Sequence, residues 1–260
     1  LGRLDVLVNN AGSTGPRQPL VDLPLTRAEV EALRAGGASD TETVGEAITN
    51  VFGLVWHMCR AAAPHLQPGA SVVNVSTIFS RTRYYGRSAY VVPKAALNAF
   101  SHHLALQLGA RCIRVNVVYP GPVEGVRIHE AFAAMDGLKQ VPTGTTAQEF
   151  LGTMALARDD GMGELQPAFP SVEDVANTIV FLGSDESRAF SAHGFEVTNG
   201  MDVPQESRST LMSRPDLRTL DGHGATVLVL AGDQVADALA IARVQAGLGA
   251  KAGNRLLRGL

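Results

Sequence analysis

Tyr90 and Lys94 stand four positions apart in an apolar run, and Thr77 lies thirteen residues ahead of Tyr90. On a helix that spacing puts the phenol and the ammonium on one face, a turn apart. A hydroxyl, a phenol and a cation brought together suit proton delivery to a carbonyl oxygen. Two elements must position them. The β-rich run Ser71 to Ser76 carries Thr77 at its mouth, and a helix from about Ala89 to Leu108, ended by Gly109, carries the other two. Pro93 falls near that helix's start, where a missing N–H is best tolerated.

The remaining elements follow from pattern and punctuation. Leu4 to Val8 is a buried-type strand that runs into Asn9-Asn10-Ala11-Gly12. Ser13 to Leu25 is a Gly- and Pro-containing loop. Thr26 and Glu29 form a capping box for a short helix stopped by Gly36-Gly37. A second box, Ser39 with Glu42, precedes a long helix to about Ala63, in which Asn50 is polar among Ile48, Val51, Phe52, Val55 and Met58. Ile113 to Val118 reads as a strand that leads into Pro120-Gly121-Pro122-Val123. Residues 124–170 exceed an ordinary connection and carry helical patches at Ile128 to Leu138 and Ala147 to Ala157, which suits a substrate lid or an interaction arm. Ser171 with Asp174 caps a helix to Leu182, and Gly194 to Val197 is a short strand.

Strands alternating with helices imply an α/β fold with a Rossmann-like parallel sheet. Ligands of such sheets sit at the carboxyl ends of the strands. Asn9 to Gly12, Ser76, Thr77 and Pro120 to Val123 all fall at such ends. The balance of 22 Lys and Arg against 25 Asp and Glu, a net charge of −3, points away from nucleic acid and anionic membranes. No apolar run approaches the ~20 residues that span a bilayer. Cys59 and Cys112 read as buried, reduced thiols of a cytoplasmic protein, and the His residues lack ligand spacing, so no metal is expected.

These pieces, in this order, resemble the short-chain dehydrogenase/reductase family. The resemblance runs from about Leu1 to Met201. It rests on Asn9 to Gly12, Asn50, Thr77, Tyr90-Val91-Val92-Pro93-Lys94, the Pro120-Gly121 turn and Phe181 to Glu186 before Gly194. It implies an oxidoreductase in which Tyr90 protonates the substrate oxygen as hydride arrives from a nicotinamide. Lys94 would lower the phenol's pKa and bind the ribose, and Asn50 would hold a water linking Lys94 to solvent. Thr77 stands at the family's serine position, with Ser76 as an alternative. Asn9, Ala11 and Gly12 would line the adenosine side, with Pro120, Gly121, Pro122 and Val123 along the nicotinamide. Tyr90 and Lys94 would touch the cofactor too. NADPH is the implied cofactor and NADH stays open. A homodimer through the Tyr90 helix and the preceding long helix is also implied.

Three departures from the family pattern stand out: Thr77 for serine, Gly125 where a threonine often contacts the carboxamide, and no Thr-Gly-x-x-x-Gly-x-Gly phosphate loop in the 260 residues. The strand at Leu4 to Val8 would be a bare apolar edge. Residues ahead of Leu1 are therefore expected to supply three further strands, including the phosphate loop. The organisation reads as a reductase part at 1–203, a linker at 204–223, and at 224–260 the opening βα unit of a second Rossmann-like module, carried by Ala225 to Asp233.

Within the family, Val75 to Arg81, Tyr84 to Gly86, Tyr90 to Asn98, Pro120 to Glu124 and the tail Leu217 to Leu220 are similar to one module of a multi-module, bifunctional reductase whose substrate is an aldehyde carrying a carboxylate. Arg81, Arg83, Arg127 and Lys139 are candidates to meet that carboxylate, and the fork geometry of Arg suits it best. Another carbonyl reductase of 3-oxoacyl type, or a catalytically silent module kept for dimerisation, are the alternatives.

Overall fold

The computed structural model describes residues 2–13, 15, 20–37, 42–82, 87–159 and 164–201. The chain divides after Ser213 into two units, and all of the described residues belong to the first. The linker and second module expected at 204–260 lie outside the described residues.

Four strands, β1 (Leu4–Asn9), β2 (Leu66–Val75), β3 (Arg114–Pro120) and β6 (Gly194–Val197), form one sheet in the order β1-β2-β3-β6. All three pairings are parallel, with Asn9 opposite Asn74, Val75 opposite Val118 and Pro120 opposite Val197. The carboxyl ends of the strands thus share one rim. Side chains alternate across the sheet. Val72 and Val115 enter a core with Val55, Cys59, Leu97 and Leu104 from α3 (Leu54–Ala62) and α4 (Ser88–Gly109). Val73 and Val118 meet Leu182 of α7 (Val172–Gly183) on the other face. Burial on both faces suits valines at successive positions of these strands, and the polar Ser71, Asn74 and Asn116 among them are buried too.

Among the described residues β1 is an edge of the sheet, and its Val6 and Val8 are 39% and 41% exposed. The apolar edge read from the sequence is therefore present, with only Gly183 of α7 set close against Val6.

Buried polar groups tie the layers together. Asn9 Nδ2 donates to Asn74 Oδ1 at 2.8 Å, Asn74 Nδ2 donates to Ser101 Oγ at 2.8 Å, and Ser101 Oγ donates to Leu97 O at 2.7 Å. Three secondary elements are joined by this chain of bonds, and Asn74 is fully buried at its centre. Asn74→Ala should cost about 2–4 kcal/mol in urea unfolding, because it strands a buried donor and acceptor and opens a void. A loss below about 1 kcal/mol would contradict that role.

Several boundaries differ from the sequence reading, each for a local reason. The Thr26 and Glu29 box caps α1 (Arg27–Ala35) as expected. The second box forms between Thr43 and Glu46 at the start of α2 (Val44–Ile48), because the Glu42 carboxylate is used elsewhere; Ser39 lies outside the described residues. The long helix is interrupted by a π-turn, Thr49–Gly53, before α3. Cys59 is buried, but Cys112 is exposed in the turn ahead of β3, with φ 59°. The strand begins two residues later, at Arg114, so the cysteine lies outside it.

The arm at 124–170 comprises α5 (Val126–Lys139), α6 (Thr145–Leu151) and an antiparallel hairpin of β4 (Ala157–Asp159) and β5 (Leu165–Pro167). The second helix stops at Leu151, six residues short of the expected end, where Gly152 closes it. Phe132, Ala147, Met154 and Phe169 give the arm its own core. Asp136 is buried at the α5–α6 corner and accepts from Gly144 N at 2.7 Å and Thr146 N at 2.8 Å. Those bonds, led by Thr146, hold its carboxyl below the usual carboxylate range. Glu124 N donates to Pro170 O, which ties the two ends of the arm to each other, and Ala155 N and Leu156 N donate to Asn199 O, which ties its middle to the turn after β6.

Candidate active site

The rim gathers Thr77, Tyr90 and Lys94. Thr77 follows β2 and caps the 3-10 turn Ile78–Ser80, accepting from Phe79 N at 3.4 Å. That use of its lone pair leaves the hydroxyl proton free to be donated. The hydroxyl acts on the Tyr90 phenol, lowering its pKa against the raising effect of burial. Ser76 is turned away: its Oγ donates to Lys94 O at 3.3 Å and lies 3.4 Å from Ser80 Oγ. Thr77 rather than Ser76 is therefore the hydroxyl at the phenol.

Tyr90 lies in the first turn of α4, and the Lys94 ammonium sits 5.9 Å from the centre of its ring. Lys94 is buried and donates to Val75 O at 2.7 Å. Burial lowers its pKa to about 8. The Tyr90 phenol shifts the other way, raised by burial, while the Thr77 hydroxyl and the charges of Arg87 and Arg127 pull it down. The charges of the two arginines act on the phenol, while the Lys94 ammonium is directed at the Val75 carbonyl.

Arg87 carries no chemistry in the sequence reading, yet its guanidinium carbon stands 5.0 Å over the Tyr90 ring. Its position three residues before Tyr90 was the available signal. A second unforeseen contact is Gly15, at φ +62°, which lies against the backbone of Ala89 and Tyr90. The carbonyl of Ala89 is left without its helical donor because Pro93 has no N–H, and a side-chain-free residue fits beside it. Phe79, two residues after Thr77, packs edge-on against Phe150 of α6 at 5.9 Å and so joins the arm to the catalytic turn.

The other expected residues are distributed along the same rim. Asn10, Ala11 and Gly12 follow β1, the first two exposed and Gly12 also open, whereas the Asn9 side chain is committed to Asn74 inside the sheet. Asn50 sits in the π-turn and is exposed. Its Nδ2 donates to Glu42 Oε2 at 2.7 Å, and Glu42 Oε1 accepts from Ser13 Oγ at 2.5 Å. The side chain is held by Glu42, and its main-chain carbonyl lies beside Gly12. A π-turn at that point displaces the helical carbonyls from their usual ladder. Pro120 ends β3, Gly121 N donates to Val197 O at 2.9 Å, Pro122 is buried and Val123 is half-buried. Gly125 has φ +149°, a conformation in which the β-branched threonine common at that position would be strained. Among the described residues no cluster suits a metal ion, and no helix is long and apolar enough to cross a membrane.

A parallel α/β sheet that presents a hydroxyl, a tyrosine and a lysine in this order at its carboxyl rim defines an oxidoreductase site, and the chain belongs to the short-chain dehydrogenase/reductase family. The family described as enoyl-(acyl carrier protein) reductase matches residues 1–202. The 7alpha-hydroxysteroid dehydrogenase of Clostridium sardiniense is 32% identical over 210 residues, covering 79% of this chain and 67% of that protein. The crystal structure of the N-domain of a bacterial malonyl-CoA reductase with NADP is 55% identical, with TM-score 0.73, and covers 94% of this chain and 45% of that one. A short-chain dehydrogenase of Burkholderia cenocepacia in complex with NADP is 26% identical, with TM-score 0.56, over 78% of this chain and 67% of that one. The chain thus spans less than half of the malonyl-CoA reductase N-domain, and other curated relatives are matched over as little as 56% of their length.

Proposed function

We propose that these residues form the catalytic part of an NADPH-dependent reductase that converts malonate semialdehyde to 3-hydroxypropionate, within a larger bifunctional malonyl-CoA reductase. The observation that carries the chemistry is the Tyr90 ring set 5.9 Å from the buried Lys94 ammonium, with the buried Thr77 hydroxyl acting on its phenol. The choice of substrate and of NADPH over NADH is supported by the 55% identity to the NADP-bound malonyl-CoA reductase N-domain.

The donor set fits the nicotinamide end of such a cofactor. Lys94 is a buried ammonium with one donor on Val75 O and others to spare for ribose hydroxyls. The turn Asn10 to Gly12 and the turn Gly121 to Val123 offer backbone on the same rim. When bound, the nicotinamide supplies the hydride. Tyr90 gives its proton to the substrate oxygen, which becomes the alcohol. Thr77 holds the phenol oxygen and stabilises the phenolate left behind, and the Lys94 ammonium stands by to return the proton.

A second copy is proposed to cover the α3–α4 face. There Trp56 lies 4.9 Å from Phe100 yet remains 48% exposed.

The test is turnover by the full-length polypeptide. NADPH oxidation with malonate semialdehyde should exceed that with a 3-oxoacyl thioester by tenfold or more in kcat/KM, about 1.4 kcal/mol of transition-state discrimination. The reverse preference would favour the 3-oxoacyl reductase, and no turnover of either would favour the silent module.

A further inference from the structure

A carboxylated aldehyde needs a cation beside the catalytic tyrosine, and the fold separates the four candidates. Arg81 is committed: its guanidinium pairs with Glu196 and lies 5.2 Å over the Tyr119 ring. Lys139 is committed as well, with Nζ 2.7 Å from Glu149 Oε2 and 3.2 Å from Thr146 Oγ1, holding α5 to α6. Arg83 lies outside the described residues.

Arg127 is placed differently. It opens the first turn of α5, two residues beyond Gly125, where the chain leaves the carboxyl end of β3. That strand end is the neighbour of the one bearing Thr77, through the pairing of Val75 with Val118. Arg127 is exposed and makes no ion pair among the described residues. The nearby Glu124 carboxylate is occupied by His129 Nε2 at 2.6 Å. The Arg127 charge nevertheless reaches the site, since it is one of the two that act on the Tyr90 phenol. The other, Arg87, is held over the ring of Tyr90, where it orients the phenol.

We propose that Arg127 receives the substrate's carboxylate and makes the site selective for an aldehyde acid over an uncharged aldehyde. The proposal rests on the reaction assigned above. In malonate semialdehyde one methylene separates the carboxylate carbon from the carbonyl carbon, so the anion must bind close to the phenol that protonates the oxygen. A planar guanidinium on the rim can take both carboxylate oxygens, and a carbonyl held by Thr77 and Tyr90 at one end and a carboxylate held by Arg127 at the other leaves one orientation.

The experiment uses the full-length enzyme with Arg127→Ala, Arg127→Lys and Arg81→Ala, malonate semialdehyde and propanal as substrates, and malonate as a non-reacting probe followed by calorimetry. Arg127→Ala should lower the ratio of kcat/KM for the semialdehyde over that for propanal by roughly ten- to hundredfold, chiefly through the semialdehyde's KM, and weaken malonate binding by a similar factor. Arg127→Lys should fall between, because it keeps the charge and loses the fork. Arg81→Ala should leave the ratio of the two substrates unchanged. If Arg127→Ala affects both aldehydes equally, or if Arg81→Ala carries the discrimination, the assignment is wrong. If the wild type does not reduce the semialdehyde, the reaction reading fails instead. Malonate affinity then decides the anion site alone: a loss in Arg127→Ala upholds it, and unchanged affinity overturns it.

Discussion

Replacing Tyr90 by phenylalanine is expected to lower kcat for aldehyde reduction by about 10²- to 10⁴-fold, the range that one positioned general acid contributes. The side chain keeps its ring, its packing beneath Arg87 and its place in the first turn of α4. What it loses is one hydroxyl, the proton donor on which Thr77 acts. Stability should therefore change by no more than about 1 kcal/mol, the net worth of one hydrogen bond, and NADPH affinity should stay within a few-fold. Loss of activity with folding and cofactor binding retained is the signature of a catalytic residue. A kcat within threefold of wild type would remove Tyr90 from the proton transfer and leave the silent module as the better reading. The reductive direction requires the phenol protonated. Burial raises its pKa, which keeps it so at neutral pH despite the opposing arginines.

The second large effect concerns Lys94 and pH. In the folded protein the buried ammonium has a pKa of about 8, below its ordinary 10.5. Folding thus penalises the charged form. The penalty is fully present below pH 8, shrinks as pH climbs from about 8 to 10.5 while the unfolded chain still holds the proton, and is gone above that. The difference corresponds to roughly 3 kcal/mol. Unfolding free energies of wild type and Lys94→Met, measured in parallel, should therefore converge or cross in the wild type's favour by about that amount between pH 7 and pH 11. Parallel curves would mean that Lys94 keeps an ordinary pKa in the fold. Activity should move in the opposite sense. The cation that returns the phenol's proton and binds ribose is lost as pH passes about 8 in the cofactor-free enzyme, so kcat/KM for reduction should fall on that limb. Saturating NADPH should shift the limb upward, because ribose oxygens favour the charged form.

Local signals were enough for much of this protein. The period of the apolar residues and the capping residues located all four strands of the sheet and every helix of ten residues or more to within a few positions. Spacing alone put Tyr90 and Lys94 on one helical face. The order of the motifs along the chain then identified the family, because each motif is short-range information that a linear sequence preserves. What the residue string could not decide was competition among partners distant in sequence. Thr77 and Ser76 are adjacent and chemically alike, and only the direction of the backbone leaving β2 sends one to the phenol and the other to the backbone of α4. Asn50 looked like a relay group, but Glu42 claimed its side chain once the π-turn had turned it outward. Four cations were equivalent as letters until Glu196 took Arg81 and Glu149 took Lys139, partners 115 and 10 residues away. Tyr90 and Lys94 themselves were visible from the start, but their acidities were not. Those depend on burial and on which charges the fold brings near, and both are set by packing that no local window of sequence contains.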